Sequence, residues 1–255
     1  DHHYSFINYI SALSANHVLF NSRFHMEIFL KELHSFLNHF PDYNEMDTIK
    51  IIEKKSEVLS LAIELKKFDP YKEETHNKPL VLWNHRWEYD KNPELFFKSL
   101  KHVKDEGYSF DLVVLGENFS NSPEIFQNAK DIFKENILHW GYAKDFDSYA
   151  KWLWKANILP VTSNQDFFGV SVMEAIYCET SPLLPNRLSF PELIPNQFHS
   201  DHFYQNENEL NEKLINIIKT YKSIDLKALK KVALKYDWNY LASVYDDKMD
   251  SLLKK

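Results

Sequence analysis

Glycine and cysteine are scarce in this chain of 255 residues, which has four glycines and one cysteine. Average usage of roughly 7% would supply about eighteen glycines. A chain so poor in glycine is expected to keep it where the backbone needs a positive φ or where another group approaches closely. The single cysteine, Cys178, excludes an internal disulfide and a cysteine-based zinc site. A reducing cytoplasm fits this composition.

Long apolar runs and a positive charge balance are also missing. No stretch reaches the 18 apolar residues of a membrane span and no signal-peptide pattern opens the chain, so we expect a soluble protein with no membrane partner. The net charge of −7 argues against a broad nucleic-acid surface but leaves a local basic groove possible. The 12 histidines form no HExxH or Cys/His cluster, so no metal site is predicted.

Strand-like and helix-like segments alternate through the second part of the chain. This alternation predicts an α/β fold with a parallel sheet and right-handed crossovers, in which ligands bind at the carboxyl ends of the strands. No GxGxxG follows the first strand, which argues against a nicotinamide-dependent dehydrogenase. The strand-like runs are 79–86, 111–116, 137–141, 157–163 and 181–185.

The chain divides by pattern into four parts. Residues 1–65 mix helical segments with two short apolar runs, at 17–22 and 56–63, and are read as part of a first domain. Residues 66–79 are polar and contain two prolines, a composition typical of a linker, and the linker is placed at 66–78. The α/β domain then spans 79–238, and a last amphipathic helix spans 239–255.

The stretch DFFGVSVMEAIY, residues 166–177, combines two acids with a glycine at the start of an apolar helix. Gly169 would let an anion approach the free N–H groups of the first helical turn, where the helix dipole favours negative charge. Two turns on, Glu174 could accept hydrogen bonds from vicinal hydroxyls, and Asp166 could face the other side of a phosphate. The pattern suggests a cradle for a nucleotide diphosphate bearing sugars, but an N-cap acid and a partly exposed helical glutamate explain it equally well.

A second loop, NHRWEYDKNP (84–93), follows the first strand of the α/β domain and carries Arg86 and Lys91. Two cations at the carboxyl edge of the sheet could neutralise a pyrophosphate. The alternative is a solvated charged loop. Because both loops fall on the same predicted edge, together they favour a nucleotide site.

These segments resemble a known enzyme family. Asp166 to Glu174 is similar to the E-x7-E motif of retaining glycosyltransferases with two Rossmann-like domains, the GT-B architecture of family 4 type. HRWEYDKNPELFFK, VLGE, LHWGY, FFGVSVMEAIYC and PNRLSFPEL together resemble the tRNA-queuosine mannosyltransferase family, as does YSFINYISALSANHVLFNSRFHMEIFL near the start. The resemblance covers nearly all of the chain.

The resemblance implies a GT-B fold with two Rossmann-like domains facing a cleft, the first of them incomplete in this chain. It implies transfer of mannose from GDP-mannose to queuosine in tRNA(Asp), with retention of configuration and no metal or other cofactor. Arg86 and Lys91 would hold the diphosphate and Asp166 the transferred hexose, as catalytic residues. The remaining donor-binding residues would be Gly116, Tyr142, Phe168, Gly169, Val170, Ser171 and Glu174.

Two residues depart from the family pattern: Asp166 stands where glutamate is usual, and Glu179 stands where a glycine usually follows the helix. Two other functions stay open, namely a family 4 enzyme with a lipid or polysaccharide acceptor and an inactive nucleotide-binding module. For a tRNA partner, the densest basic candidates near the linker are Lys54, Lys55, Lys66, Lys67 and Lys72, which could equally be a solvated surface.

Overall fold

The computed structural model describes residues 2–74, 76–117 and 123–253. The chain forms two compact units, Asp1–Leu61 and Ala62–Lys255. Within the described residues, no helix combines the length and the apolar character needed to cross a membrane.

The first unit packs three helices around a small core and a two-stranded parallel sheet. Leu33 and Leu37 pack with Ile49 and Ile52 in this core. Ser22 caps the second helix, because its hydroxyl accepts a hydrogen bond from the His25 amide at 3.0 Å. The elements are α1 (His2–Ser14), β1 (Val18–Phe20), α2 (Arg23–Leu37), α3 (Asp47–Lys54) and β2 (Ser56–Val58).

The second unit is a parallel sheet flanked by helices, which confirms the predicted α/β class. All five predicted strands are present, and a sixth, short strand is added at Phe203–Tyr204. Its elements are β3 (Leu80–Trp83), α4 (Pro93–Asp105), β4 (Asp111–Leu115), α5 (Ile125–Ile132), β5 (Ile137–Gly141), α6 (Phe146–Lys155), β6 (Ile158–Pro160), α7 (Val170–Tyr177), β7 (Ser181–Pro185), α8 (Phe190–Leu193), α9 (His199–His202), β8 (Phe203–Tyr204), α10 (Glu207–Thr220), α11 (Lys227–Ala233) and α12 (Trp238–Leu253).

The strand order, β5-β4-β3-β6-β7-β8, contains one reversal that locates the ligand crevice. The chain adds β4 and β5 on one side of β3 and then returns to place β6 on the other side. In open α/β sheets, ligands bind outside the carboxyl ends of the strands at such a switch point. The loops after β3 and β6 therefore flank the expected binding site.

Aromatic side chains fill the core between the sheet and helices α4 and α5. Trp87 stacks on Phe126 with ring centroids 4.3 Å apart, and Phe97 packs edge-on against the same Phe126 ring. Trp83, on β3, is fully buried. Because Trp83 and Trp87 lie on either side of the start of the loop after β3, this core fixes where that loop begins.

The segment predicted as a linker starts with an ordered 3₁₀ helix, Leu65–Tyr71. Phe68 is fully buried, and its carbonyl accepts a hydrogen bond from Trp154 Nε1 at 2.8 Å. Asp69 accepts a hydrogen bond from the Tyr177 hydroxyl at 2.7 Å. The first half of the predicted linker, 66–78, is therefore packed within the second unit. The linker prediction used the polar residues and the two prolines, and neither feature reveals that Phe68 is buried.

Candidate functional site

Two loops meet at the switch point of the sheet, and both were singled out by sequence. The loop after β3 runs through 84–92, and the loop after β6 runs through 161–169. Thr162 joins them, because its hydroxyl lies 2.9 Å from the carbonyls of Lys91 and Asn92. The Asn164 amide also donates to the Asp90 carbonyl at 2.7 Å.

Lys91 and Asp166, predicted independently, form an ion pair across these loops. Lys91 Nζ lies 3.5 Å from Asp166 Oδ2 and 3.1 Å from Asp90 Oδ2. It also donates to the Gln165 carbonyl at 2.8 Å. Both side chains are mostly buried, with 12% of Lys91 and 14% of Asp166 exposed. The pair fixes the position of the cation that was predicted to face the diphosphate.

Arg86 is placed differently from Lys91. Its guanidinium is 58% exposed and pairs with Glu88 at 3.0 Å. An exposed pair of this kind is weak and is exchanged readily for another anion. Arg86 is therefore available to a ligand at the pocket that it lines.

Helix α7 begins directly after Gly169, as predicted, and its first turn lies beside the loop after β3. Gly169 is the N-cap, with φ 91°, and the amides of Val170 and Ser171 open the first turn. Asn84 Nδ2 donates to the Ser171 carbonyl at 2.9 Å, and Ser171 Oγ lies 3.2 Å from His85 Nδ1. These contacts hold the start of α7 against the end of β3.

His85 is buried and neutral. Burial lowers the pKa of its imidazole to about 3, and the nearby Lys91 ammonium acts in the same direction. Trp83 Nε1 donates to the His85 carbonyl at 2.8 Å, which fixes the backbone of the loop. Within the described part of the chain, His85 Nε2 and Asn84 Oδ1 are buried without a hydrogen-bond partner. Orphaned buried polar atoms are uncommon, and two in adjacent residues mark this strand end as unusual.

A pocket of about 420 Å³ opens at the carboxyl ends of β3, β4 and β5. A volume of this size falls in the range of small-molecule sites. Of the predicted site residues, Arg86, Gly116 and Tyr142 line it. Tyr142 is 73% exposed, which leaves its ring free to stack on a planar group.

Glu174 is connected to this pocket by a hydrogen bond from Tyr149, one of the residues that line it. The Tyr149 hydroxyl donates to Glu174 Oε2 at 2.7 Å, and Tyr149 lines the pocket. Burial raises the pKa of the Glu174 carboxyl, while the hydrogen bond from Tyr149 and the charge of Lys67 lower it. Burial and the charge of Glu174 raise the pKa of Tyr149 well above its ordinary value. Glu174 is therefore a half-buried carboxylate held by a hydrogen bond, and its role in binding a donor stays a prediction.

Family comparison accounts for both units. Residues 1–63 match the model described as "tRNA-queuosine alpha-mannosyltransferase N-terminal", and residues 66–234 match "Glycosyl transferases group 1". A tRNA-queuosine alpha-mannosyltransferase from Drosophila melanogaster is 32% identical over 225 residues. The chain belongs to the tRNA-queuosine alpha-mannosyltransferase family. It also belongs to the group 1 glycosyltransferases, whose model spans the unit that carries the candidate site.

The chain is shorter than the curated relatives that it matches. The Drosophila match covers 85% of this chain but only 58% of the relative. A probable sucrose-phosphate synthase from Thermosipho melanesiensis is 25% identical over 189 residues, covering 69% of this chain and 42% of that protein.

Solved glycosyltransferases share the fold. A sucrose-phosphate synthase from Thermosynechococcus elongatus superposes with a TM-score of 0.73 at 13% identity, covering all of this chain and 62% of that one. The catalytic domain of starch synthase IV from Arabidopsis thaliana, bound to ADP and acarbose, gives 0.70 at 14% identity, covering 94% of this chain and 56% of that one. A glycosyltransferase from Rickettsia africae gives 0.69 at 16% identity, with 94% and 64% coverage. They show that this family member has the GT-B type of fold, with a Rossmann-like second unit.

At two of the predicted site glycines, a side chain would clash with a neighbouring group. An ideal Cβ on Gly116 would lie 2.0 Å from the His85 carbonyl oxygen, so no side chain fits between β4 and the loop after β3. A Cβ on Gly169 would lie 2.9 Å from the Phe190 ring. The close approach at Gly169 is therefore to an aromatic ring of this chain, which leaves anion binding by the neighbouring amides as a prediction.

Phe168 is not placed as a pocket residue. Its ring is 2% exposed and packs edge-on against Tyr236 at 5.2 Å. Its amide donates to Asp166 Oδ1 at 3.1 Å, which shapes the turn before α7. The ring is therefore part of the core, and any contact of Phe168 with a donor would come from its backbone.

Sequence reasoning missed Asn84, His85, Tyr149 and Arg187. Arg187 Nη2 donates to the Ser163 carbonyl at 3.0 Å and lies 3.2 Å from Asn164 Oδ1, which braces the loop after β6. Asn84 and His85 stand at a predicted strand end, and that position is the signal that could have found them. Tyr149 carries no local signal, because its partner lies 25 positions away. Over the described ranges, no group of three His, Cys, Asp or Glu side chains is arranged to hold a metal ion.

Proposed function

We propose that this chain carries the donor site of a retaining glycosyltransferase that transfers mannose from GDP-mannose to the queuosine base of tRNA(Asp). The observation that carries the proposal is the convergence of the loops after β3 and β6 at the switch point of the sheet. There Lys91 and Asp166 pair, with Arg86 beside a pocket of about 420 Å³. The acceptor rests on the Drosophila relative, which is described as a tRNA-queuosine alpha-mannosyltransferase.

In this proposal, each part of the donor has a partner at the site. Arg86 and Lys91 supply positive charge for the diphosphate, and the Val170 and Ser171 amides supply N–H donors at the start of α7. Glu174 is the acceptor for the ribose hydroxyls, and Tyr142 offers an exposed ring to the base. Asp166 would accept a hydrogen bond from the transferred hexose, although Lys91 also holds this carboxylate.

Transfer by this arrangement requires no metal ion in our proposal. The leaving diphosphate gains charge as the glycosidic bond breaks, and preorganised cations and helix amides stabilise that charge most strongly in the transition state. Chelators should therefore leave activity intact. A loss of activity in EDTA that magnesium or manganese restores would disprove the metal-independent mechanism.

The setting that we propose is the cytoplasm. The only cysteine, Cys178, is a buried free thiol, which is compatible with a reducing compartment. The partners that we propose are the nucleotide sugar and tRNA(Asp) carrying queuosine, with no membrane contact.

The donor assignment is tested by calorimetry with GDP, GDP-mannose, UDP and ADP. We expect GDP and GDP-mannose to bind the second unit and to raise the melting temperature, since a ligand at 100 times its dissociation constant adds about 2.7 kcal/mol to stability. Binding of UDP or ADP with no response to GDP would overturn the guanosine assignment.

The acceptor is tested by transfer of labelled mannose to tRNA with and without queuosine, using a full-length family member that contains this chain. We expect labelling only of the tRNA that carries queuosine. Equal labelling of both tRNAs would remove queuosine as the acceptor. Labelling of a lipid or polysaccharide instead would favour the other type of family 4 enzyme, and no transfer despite donor binding would indicate an inactive module.

A further inference from the structure

Tyr149 and Glu174 form a half-buried, hydrogen-bonded pair beside the pocket. Tyr149 stands on α6 and Glu174 on α7, and their 2.7 Å hydrogen bond joins the two helices. Within the described residues, this is the only hydrogen bond made by the Glu174 side chain. Glu174 Oε2 is therefore engaged, and Oε1 keeps its full capacity to accept.

The tyrosine is held firmly enough to fix its partner. Its ring packs against Phe68 and Phe146, with centroids 6.1 and 6.3 Å away. Helix α6 is capped by Asp145, whose carboxylate accepts from the Ser148 amide at 2.8 Å. A glutamate side chain has three rotatable bonds, and immobilising such a side chain on binding costs free energy that a prior contact removes.

We propose that Tyr149 is a positioning residue for the nucleotide-sugar donor: it holds Glu174 by Oε2 and leaves Oε1 to accept the vicinal hydroxyls of the donor's ribose. The proposal rests on the donor site described under Proposed function. It adds a second residue to a role that the motif pattern gives to Glu174 alone.

The charge of Glu174 depends on the same contact. The groups that act on its carboxyl are Tyr149 from α6 and Lys67 from the 3₁₀ helix. The thiol of Cys178, at the end of the same helix, is kept neutral because burial and the Glu174 charge raise its pKa. Burial raises the pKa of Glu174, and the Tyr149 hydrogen bond opposes that rise. Without the hydroxyl, Glu174 takes up a proton at a higher pH, and a protonated carboxyl is a poorer acceptor for hydroxyl groups.

The test is Tyr149→Phe, which keeps the ring and removes only the hydroxyl. We measure GDP affinity by calorimetry between pH 5 and 8. We expect binding about five- to tenfold weaker at neutral pH, the usual effect of losing one hydrogen bond that positions a charged group. The acid limb of the binding profile should also move to higher pH.

Tyr177→Phe is the matched control. Its hydroxyl donates to the Asp69 carboxylate at 2.7 Å, the same type of bond at the same length, and Tyr177 does not line the pocket. This variant should lower the melting temperature while GDP affinity and the acid limb stay at parent values. If Tyr149→Phe behaves in the same way as Tyr177→Phe, Tyr149 is only structural and the inference is wrong.

A second measurement separates this inference from the donor assignment. Carboxyl NMR resonances of the parent and of Tyr149→Phe report the titration of Glu174 without any ligand. If the parent binds GDP but Tyr149→Phe binds it equally well, the inference fails and the donor assignment stands. If the parent binds none of the nucleotides, the donor assignment fails, and a shift of the Glu174 titration to higher pH then supports only the contact between the two side chains. An unchanged Glu174 titration overturns the inference whatever the nucleotide result.

Discussion

Glu174 carries a cost in stability that its proposed contact with the donor ribose would explain. Because burial raises its pKa, the ionised carboxylate destabilises the fold at neutral pH, and the cost disappears as pH falls through the raised pKa. Glu174→Gln keeps the size and an acceptor for Tyr149 while removing the charge. We expect its melting temperature at pH 7 to be equal to or above that of the parent, with the difference vanishing in acid. GDP binding should weaken by roughly 1.5–3 kcal/mol, because the carboxylate acceptor is replaced by a neutral amide.

Thermal unfolding across pH together with calorimetry checks this prediction. Glu53→Gln serves as the control, since Glu53 is an exposed glutamate of α3 in the first unit. A variant at position 174 that is less stable yet binds GDP normally would assign Glu174 to the structure and not to the donor.

Arg86 and Lys91 separate into two kinds of cation. Arg86→Ala removes an exposed guanidinium, so stability should change by less than about 0.5 kcal/mol while the transfer rate falls more than donor affinity. Lys91→Ala leaves Asp90 and Asp166 unpaired, so it should also lower stability, by about 1–2 kcal/mol. Melting temperatures, GDP affinities and transfer rates of both variants check this. Equal loss of stability in the two variants would contradict the placement of Lys91.

At the scale of elements, the end of α7 is a place where the residue type and the backbone conformation disagree. Glu179 has φ 64°, in the left-handed region, where glycine is usual. The amides of Glu179 and Thr180 donate to the carbonyls of Ile176 and Ala175, which closes a Schellman motif. Glu179 also pairs with Lys230 at 2.9 Å and Lys72 at 3.4 Å. These ion pairs offset part of the strain of placing a residue with a side chain in the left-handed region.

Substitution at position 179 measures that strain. Glu179→Gly and Glu179→Ala both remove the ion pairs, but only alanine keeps the strained backbone. We expect the glycine variant to be more stable than the alanine variant by about 1 kcal/mol, the cost of a left-handed residue with a Cβ. Urea denaturation of the two variants gives the difference directly, and an alanine variant as stable as the glycine variant would show the left-handed turn to be unstrained.

For the whole molecule, the net charge of −7 means that the tRNA proposed as acceptor would have to bind through local basic patches. Of the lysines predicted for this role, Lys55 is engaged, since its ammonium donates to the carbonyls of Leu13 and Ala15. Lys72 is also engaged, by Glu179 and the Trp154 ring. Lys67 lies 4.7 Å from the centroid of Phe146, a ring that lines the pocket, and Lys66 is exposed beside it.

The double variant Lys66→Ala/Lys67→Ala should therefore flatten the salt dependence of tRNA binding, by about one unit of slope for each phosphate that is no longer neutralised. Discrimination between tRNAs should survive, because backbone contacts position and base contacts specify. Lys98→Ala/Lys101→Ala removes the same charge from exposed pairs on α4 and is the control. Filter binding with the full-length protein over a range of salt checks the slopes, and identical slopes for the two double variants would remove Lys66 and Lys67 from the tRNA surface.

The sequence by itself determined the features that depend on neighbouring residues. The alternation of 79–185 specified strands, helices and a parallel sheet, because periodicity and capping act over a few positions. Ser22 as a cap and the positive φ of Gly169 follow from the same local chemistry. The unusual glutamate at 179 was also visible, since only the residue type that follows a helix was needed.

Only the tertiary structure decided which distant side chains meet. The order of strands put the loops after β3 and β6 side by side, which brought Lys91 to Asp166 across 75 positions. The placement of α6 beside α7 brought Tyr149 to Glu174 across 25 positions. The tertiary structure also buried His85 and Phe168, whose exposure no local pattern fixes. Local sequence limits the conformation of a segment, whereas contacts between segments depend on how the sheet and its helices pack, and a binding site is made of such contacts.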